Sequence, residues 1–336
     1  MQDTNHVASS FCIAVASHIS NKNRVPYLQE CLMSLVSQSS PVSIYLSISF
    51  ASQDVREYTL NCLYADASFI TPEYLNIRVR DQKTSQMRHY CLLYKEIAEK
   101  HDWIMFCDDD DTYHPDRTDR FMQTICAACG QIDTAKSSRD SALHQLRLAG
   151  LYENVSQTTH RVQRHEYWCY CIRMELLGRF FEGVENTPGI LDDRCCDVFL
   201  AEYLRRKSQE WIYVTIQATL YNYRKEENGD SVTGQIQTDQ HRYTNQTSPP
   251  PIGDDAWLDY VLQWNAFLHE NLHIFLHDTY LRTLVGCDLD TILRAEFHDN
   301  YAILDYVDRK HVNEIVELYN RVRLVCGQIY DFGLST

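Results

Sequence analysis

One stretch constrains this chain more than any other: Trp103-Ile104-Met105-Phe106-Cys107-Asp108-Asp109-Asp110-Asp111, four apolar residues and a cysteine running into four carboxylates. An apolar run of that length, ending abruptly in polar residues, predicts a buried strand of a parallel sheet. Open α/β sheets gather their ligands outside the carboxyl ends of their strands, which is where this cluster falls. Adjacent carboxylates repel one another, so the group is costly until a cation neutralises it. Hard oxygen donors suit Mg²⁺ or Mn²⁺. The competing reading is a solvated acidic turn; the position directly after a buried strand favours the metal. Pro115 is placed to open the next helix at its first position.

The segments before this strand set its context. Phe11 to Ala16 predicts a first strand, followed by a polar loop over Ser17 to Arg24. From Pro26, apolar residues at Leu28, Cys31, Leu32, Leu35 and Val36 repeat with helical period. Val42 to Phe50 predicts a second strand, with Ser43, Tyr45, Ser47 and Ser49 on one face. Helices over Val55 to Tyr64 and Thr84 to Lys100 flank a third strand, Leu75 to Val79. Strands alternating with helices through short loops predict a doubly wound α/β half. The chain carries no GxGxxG after the first strand and no GxxxxGK[ST], which excludes the simple dinucleotide and P-loop readings.

Beyond the acidic strand, a helix is expected over Pro115 to Cys129, a loop over Gly130 to Ser141, and strands over Leu146 to Tyr152 and Val162 to Ile172. Met174 to Phe181 and Arg194 to Arg206 read as helices, and Trp211 to Tyr223 as one or two strands. A second acidic pair, Asp192-Asp193, stands immediately before the Arg194 helix. Arg224 to Asp255 is polar and contains Ser248-Pro249-Pro250-Pro251, the composition of a linker. From Ala256 the chain reads as helices. His269, His273 and His277 share one helical face there, more often a packed stripe than a ligand set.

Charge and composition exclude several classes. A net charge of −15 argues against nucleic acid and anionic membrane surfaces as partners. No apolar run is long enough for a transmembrane segment. Thirteen cysteines, an odd number, mostly lie inside apolar segments, and Cys126 and Cys129 have no second pair at zinc spacing. With a polar amino-terminal segment, they point to a reducing, cytoplasmic setting.

Asp108 and Asp110 stand at i and i+2, able to approach one ligand from an extended loop, while Asp192-Asp193 can supply a separate base. With these motifs in place, the chain resembles a GT-A fold glycosyltransferase of the inverting family-2 type. FCIAVASHISNKNRVPYLQECLMSLVSQ is similar to that family's opening strand and helix, and SQMRHY to a segment carrying an arginine, here Arg88. FCDDDDTYHP is similar to its DxDD followed by proline. CIRMELLGRFFEGV, ILDDRCCDVFLAEYLRR and YNYRKEENGDS resemble the acceptor-side segment, the acidic pair opening a helix, and the stretch closing the nucleotide site. The resemblance runs from about residue 11 to 233.

The resemblance implies a GT-A catalytic domain over 1–247; the helical pattern beyond it is expected to form a separate unit over 252–336, shaping an acceptor cleft or mediating homo-oligomerisation. It implies a nucleoside-diphosphate sugar donor, UDP- or GDP-linked, a glycan or glycoconjugate acceptor, and Mn²⁺ or Mg²⁺. Asp110 and Asp108 would hold the metal, with Glu226 where the family often places a histidine. Ser17, His18, Arg24, Ser47, Arg88, Asp108, Asp109 and Arg224 would contact the nucleotide sugar. Asp193 would deprotonate the acceptor, with Asp192 as the alternative base. The family usually ends its second strand on an acidic residue; here Ser47 and Ser49 occupy that region. Two other classes compete. Ile104 to Thr112 also fits the DxDxT strand of haloacid dehalogenase-like phosphatases, with Asp108 as nucleophile and Asp110 as acid, although three strand–helix units precede it and Asp111 replaces the usual glycine. The other is a catalytically inactive GT-A carbohydrate-binding protein.

Overall fold

The computed structural model describes residues 10–65, 74–136, 147–153, 165–187, 189–193, 195–207, 211–224 and 250–330, without the side chains of 129–136, 147, 149 and 298–300. Glu226 lies outside the described residues, as does most of the expected linker. Contacts divide the chain into two compact units, Met1–Arg224 and Lys225–Thr336.

The first unit is built on β1 (Phe11–Ile19), β2 (Ser43–Phe50), β3 (Leu75–Val79) and β4 (Trp103–Asp108), alternating with α1 (Val25–Val36), α2 (Gln53–Ala65) and α3 (Gln86–Ile97). After β4 come β5 (Thr112–Tyr113), α4 (Arg117–Lys136), β6 (Arg147–Glu153), β7 (Tyr170–Arg173), α5 (Met174–Val184), α6 (Cys196–Lys207), β8 (Trp211–Ile216) and β9 (Tyr221–Asn222). The main sheet runs β3-β2-β1-β4-β7-β6-β8, and β5 pairs with β9 in a separate ribbon. Only β7 runs against the other six strands, pairing antiparallel with both β4 and β6. The fold is therefore α/β, with a mostly parallel central sheet flanked by helices.

Strand order reverses between β1 and β4, so their carboxyl ends border the crevice where such sheets take ligands. Parallel register aligns Ala16 with Asp108 and with Ser47, and His18 with Ser49. Residues aligned in this way point to the same face of a sheet. That face carries α3, whose His89 meets Ser47 and Ser49. The opposite face carries α1, whose Cys31 Sγ lies 3.7 Å from Cys107 Sγ. Both faces are covered, so β1, β2 and β4 are buried along nearly their whole length, as their apolar runs require.

Several boundaries differ from expectation. β1 continues through Ile19, so Ser17 and His18 belong to its end and not to a loop. Helix α4 runs past Gly130 to Lys136, and Pro115 stands two residues before it. The strand expected over Val162 to Ile172 opens, within its described part, as a 3-10 turn at Tyr167–Cys169 and becomes β7 only at Tyr170. Gly150 permits the β6–β7 approach: a Cβ there would lie 2.4 Å from the carbonyl oxygen of Cys171.

The second unit is helical: α7 (Asp255–Leu284), α8 (Leu289–Phe297) and α9 (Arg309–Ile329), with a 3-10 stretch at His298–Asp305. Asp254 caps α7 by accepting from the N–H of Ala256. At its other end Gly286 adopts φ 99°, with Cys287 N–H donating to Arg282 O and Gly286 N–H to Thr283 O. That pattern needs a residue tolerant of the left-handed region. Tyr260, Trp264, Leu268, Phe275, Phe297 and Ile315 form much of the core of this unit. The expected histidine stripe lies on α7; His277 is buried, and the His269 ring meets that of His311. No helix among the described residues is long and apolar enough to cross a membrane.

Candidate active site

The four aspartates divide their work by what they touch. Asp109 is held on both oxygens: Ser17 Oγ donates to Oδ2 at 2.6 Å and Arg24 Nη2 approaches Oδ1 at 3.2 Å. Asp111 is buried, accepting from Tyr221 Oη at 2.8 Å and from the N–H of Arg224 at 2.6 Å. Tyr221 Oη also accepts from the N–H of Asp108, tying the end of β4 to β9. Asp108 Oδ1 accepts from Gln86 Nε2 at 2.8 Å and from Tyr167 Oη. Asp110 Oδ2 lies 3.1 Å from Arg24 Nη2. Within this cluster, Asp108 Oδ2 and Asp110 Oδ1 have no hydrogen bond or ion pair among the described residues.

Burial and crowding load this cluster. Burial pushes the Asp111 carboxyl up to about 7 against its hydrogen bonds from Arg224 and Tyr221, with Asp110 and Asp109 adding to the rise. Burial and then the Asp110 charge push Asp109 up to about 6, despite Arg24 and Ser17. Asp108 is raised well above the carboxylate range by burial and by Asp111. Arg24 alone does not neutralise the group. Two uncommitted hard oxygens within an under-neutralised carboxylate cluster fit a divalent cation such as Mg²⁺ or Mn²⁺.

The second acidic pair comes close through α3. Ser85 and Gln86 are consecutive; Ser85 Oγ donates to Asp192 Oδ1 at 3.0 Å, while Gln86 donates to Asp108. Consecutive Cα atoms are about 3.8 Å apart, so the start of α3 brings together two acidic groups more than eighty residues apart in sequence. Arg88 grips Asp192 through two bonds, Nε to Oδ1 at 3.0 Å and Nη2 to Oδ2 at 2.6 Å. Those bonds, Arg88 first and Ser85 next, hold the Asp192 carboxyl below its ordinary value. Asp193 Oδ1 accepts from the N–H of Cys195, in the turn leading into α6.

Other expected residues are placed as follows. Arg224 Nε donates to the Asp110 carbonyl at 2.8 Å, Nη2 pairs with Glu30, and the guanidinium lies 4.5 Å from the Tyr27 ring centroid. Ser47 is fully buried, with its hydroxyl engaged by Arg80 and His89. Beyond these, Tyr167, Trp168 and Tyr170 are buried, at 2%, 7% and 3% exposure. The Trp168 ring stacks with those of Tyr221 and Tyr223.

Sequence reasoning missed Gln86, Tyr167 and Tyr221 as supports of the cluster. Gln86 and Tyr221 sit inside motifs already singled out, SQMRHY and YNYR, which was the available signal. Reasoning also missed the ion pair beneath them. Fully buried Arg117 bonds Glu153 through Nε and the Trp168 carbonyl through Nη2 at 2.8 Å, while Glu153 accepts from the N–H of Leu220 at 2.6 Å. This pair fixes the approach of Tyr221 to β4.

No family model matches the chain, and no curated protein matches it. Among solved structures, it is similar to TarS of S. aureus at 10% identity and a TM-score of 0.42, covering 96% of this chain and 55% of that one. The chain thus spans just over half the length of that relative. It is also similar to the mannosyltransferase PcManGT from Pyrobaculum calidifontis, solved in complex with GDP-Man and Mn²⁺, at 12% identity and a TM-score of 0.43, covering 96% of this chain and 87% of that one. Likeness at this level assigns no role to any residue.

Proposed function

We propose that the chain is a metal-dependent, inverting GT-A glycosyltransferase moving a sugar from a nucleoside-diphosphate sugar to a hydroxyl of a glycan or glycoconjugate. The observation that carries this reading is the pairing of two acidic groups across the start of α3. One keeps an oxygen on each of Asp108 and Asp110; the other supplies Asp192 and Asp193. Asp110 and Asp108 would hold Mn²⁺ or Mg²⁺, which when bound would neutralise charge on the leaving diphosphate.

Asp193 takes the proton of the acceptor hydroxyl, whose oxygen then attacks the anomeric carbon opposite the leaving group. Asp192 is the poorer base, because a carboxylate gripped by Arg88 has a reduced proton affinity. Arg88 accordingly works on Asp192 and not on the nucleotide. Arg224 reaches a phosphate by exchanging Glu30 for it, staying seated on Tyr27. Ser17 and Arg24 keep Asp109 turned to protein donors. The 1–247 and 252–336 division is part of the same proposal, with self-association of the helical unit through exposed Leu258, Leu262 and Leu324.

The test is release of nucleoside diphosphate from a panel of nucleotide sugars with Mn²⁺. We expect turnover with at least one donor, abolished in Asp110→Ala and by chelation. Phosphate release from simple phosphoesters without nucleotide-sugar turnover would establish the phosphatase reading instead. Donor binding without turnover, unchanged in Asp193→Asn, would establish a binding protein.

A further inference from the structure

Asn265 fastens the start of α9 to α7: its Oδ1 accepts from the N–H of Asp308 at 2.6 Å. One turn further along α7 stands His269, and in the first turn of α9 stands His311. The two rings meet with centroids 5.3 Å apart, tilted by 44°. Both line a cavity of about 540 Å³, with Leu262, Asn265, Tyr306 and Asp308 among its walls. The cavity belongs wholly to the helical unit, and the proposed transfer reaction makes no use of it.

His311 is the member of that wall that needs explaining. It is 7% exposed, its Nδ1 is closed to solvent, and that atom has no hydrogen-bond partner among the described residues. Buried polar atoms are generally hydrogen-bonded, so an exception asks for a reason. Glu314 Oε1 stands 3.8 Å from this Nδ1. A bare nitrogen would face the carboxylate lone pair to lone pair, whereas an N–H faces it attractively. The neutral ring therefore carries its proton on Nδ1 and keeps Nε2 bare. A histidine with one nitrogen free and the other N–H turned to a carboxylate is arranged as metal-bound histidines are.

We propose that His269 and His311 together bind Zn²⁺, which staples α7 to α9, with Asp308 as a third ligand. Two imidazoles sharing one tetrahedral ion, at metal–nitrogen bonds of about 2.0–2.1 Å, bring their ring centres to roughly 5 Å. The observed centroid spacing matches that separation. Asp308 lends Oδ2, because its Oδ1 caps α9 by accepting from the N–H of Lys310 at 2.9 Å. The three donor atoms do not all lie within 4.8 Å of one another, so exposed His269 turns inward to complete the site. Imidazole nitrogens favour Zn²⁺ over Mg²⁺ and Mn²⁺, the reverse of the all-oxygen cluster at the end of β4. The site is thus independent of the glycosyltransferase reading.

The test titrates Zn²⁺ by calorimetry into the full chain, with excess Mg²⁺ present to occupy the acidic cluster. One equivalent should bind to wild type and raise its Tm. His269→Ala, at an exposed side chain, should lose both that equivalent and the rise in Tm. Glu314→Ala should weaken Zn²⁺ roughly tenfold, the scale for losing a carboxylate behind a ligating histidine. Asp308→Asn keeps a capping residue at the start of α9 and should still weaken Zn²⁺. In ¹⁵N-histidine-labelled protein, with signals identified by their loss in His269→Ala and His311→Gln, Zn²⁺ should move His311 Nε2 and one nitrogen of His269 in step. Binding unchanged in His269→Ala, or a shift of the His269 ring without that of His311, overturns the shared site. A His311 protonated on Nε2 before Zn²⁺ is added overturns the tautomer on which the site depends. Absence of any Zn²⁺ binding to wild type overturns the proposal outright and leaves the proposed function standing.

Discussion

Lowering the pH should destabilise the first unit through one buried ring. His89 is 1% exposed, and burial first, then the Arg80 and His18 charges, push it down from about 6.5 to about 3. The unfolded chain binds this proton below pH 6.5 and the folded chain does not. Stability is therefore fully present above pH 6.5 and is lost as pH falls from there toward 3. Each pH unit within that window costs about 1.4 kcal/mol, so the deficit at pH 5 is about 2 kcal/mol. Urea unfolding of wild type and His89→Gln at pH 7, 6 and 5, followed by tryptophan fluorescence, isolates the effect. Other histidines titrate in both proteins, and glutamine keeps a donor and an acceptor near the two serines. The difference in stability between the two proteins should narrow by about 2 kcal/mol from pH 7 to 5. Parallel pH dependences would refute the reasoning, because His89 would then be charged in the fold or accessible to protons without unfolding.

Four further outcomes follow from the same geometry. Arg117→Leu should cost about 3–5 kcal/mol, since it strands the buried Glu153 charge; pairing it with Glu153→Leu should restore much of that in the same denaturation assay. Asp110→Ala should abolish Mn²⁺ binding measured by calorimetry, whereas Thr124→Ala, at an exposed hydroxyl bonded only along α4, should leave it intact. Asp193→Asn should lower kcat by roughly 10²- to 10⁴-fold with little change in donor KM, and Asp192→Asn should have a smaller effect, read in one steady-state series. Tyr221→Phe removes the hydroxyl between the Asp108 N–H and Asp111, and should weaken Mn²⁺ at least severalfold without unfolding the chain.

How much of this was legible beforehand depends on the range of the interactions. The apolar run into four aspartates marked β4, and the alternation of strand and helix marked the α/β half, because both are local periodicities. The roles within the acidic cluster were only partly readable. Asp109 and Asp111 are occupied by the side chains of Ser17, Arg24 and Tyr221 and by the N–H of Arg224, all remote in sequence, whereas Asp108 and Asp110 each keep one open oxygen. Arg88 looked like a ligand contact until its partner Asp192, 104 residues away, was in view. Alternation put Ser47 on one face of β2, and only the fold shows α3 covering that face.

By itself the sequence determined the order of strands and helices and the acidic strand end, since these depend on residue type and spacing along the chain. Tertiary structure alone decided which carboxylates are spent on protein donors and which acidic pair faces the start of α3. Those outcomes depend on distances between residues remote in sequence. Burial then fixes their energy: away from water a donor without an acceptor is costly, and that cost selects one arrangement from the several that the composition allows.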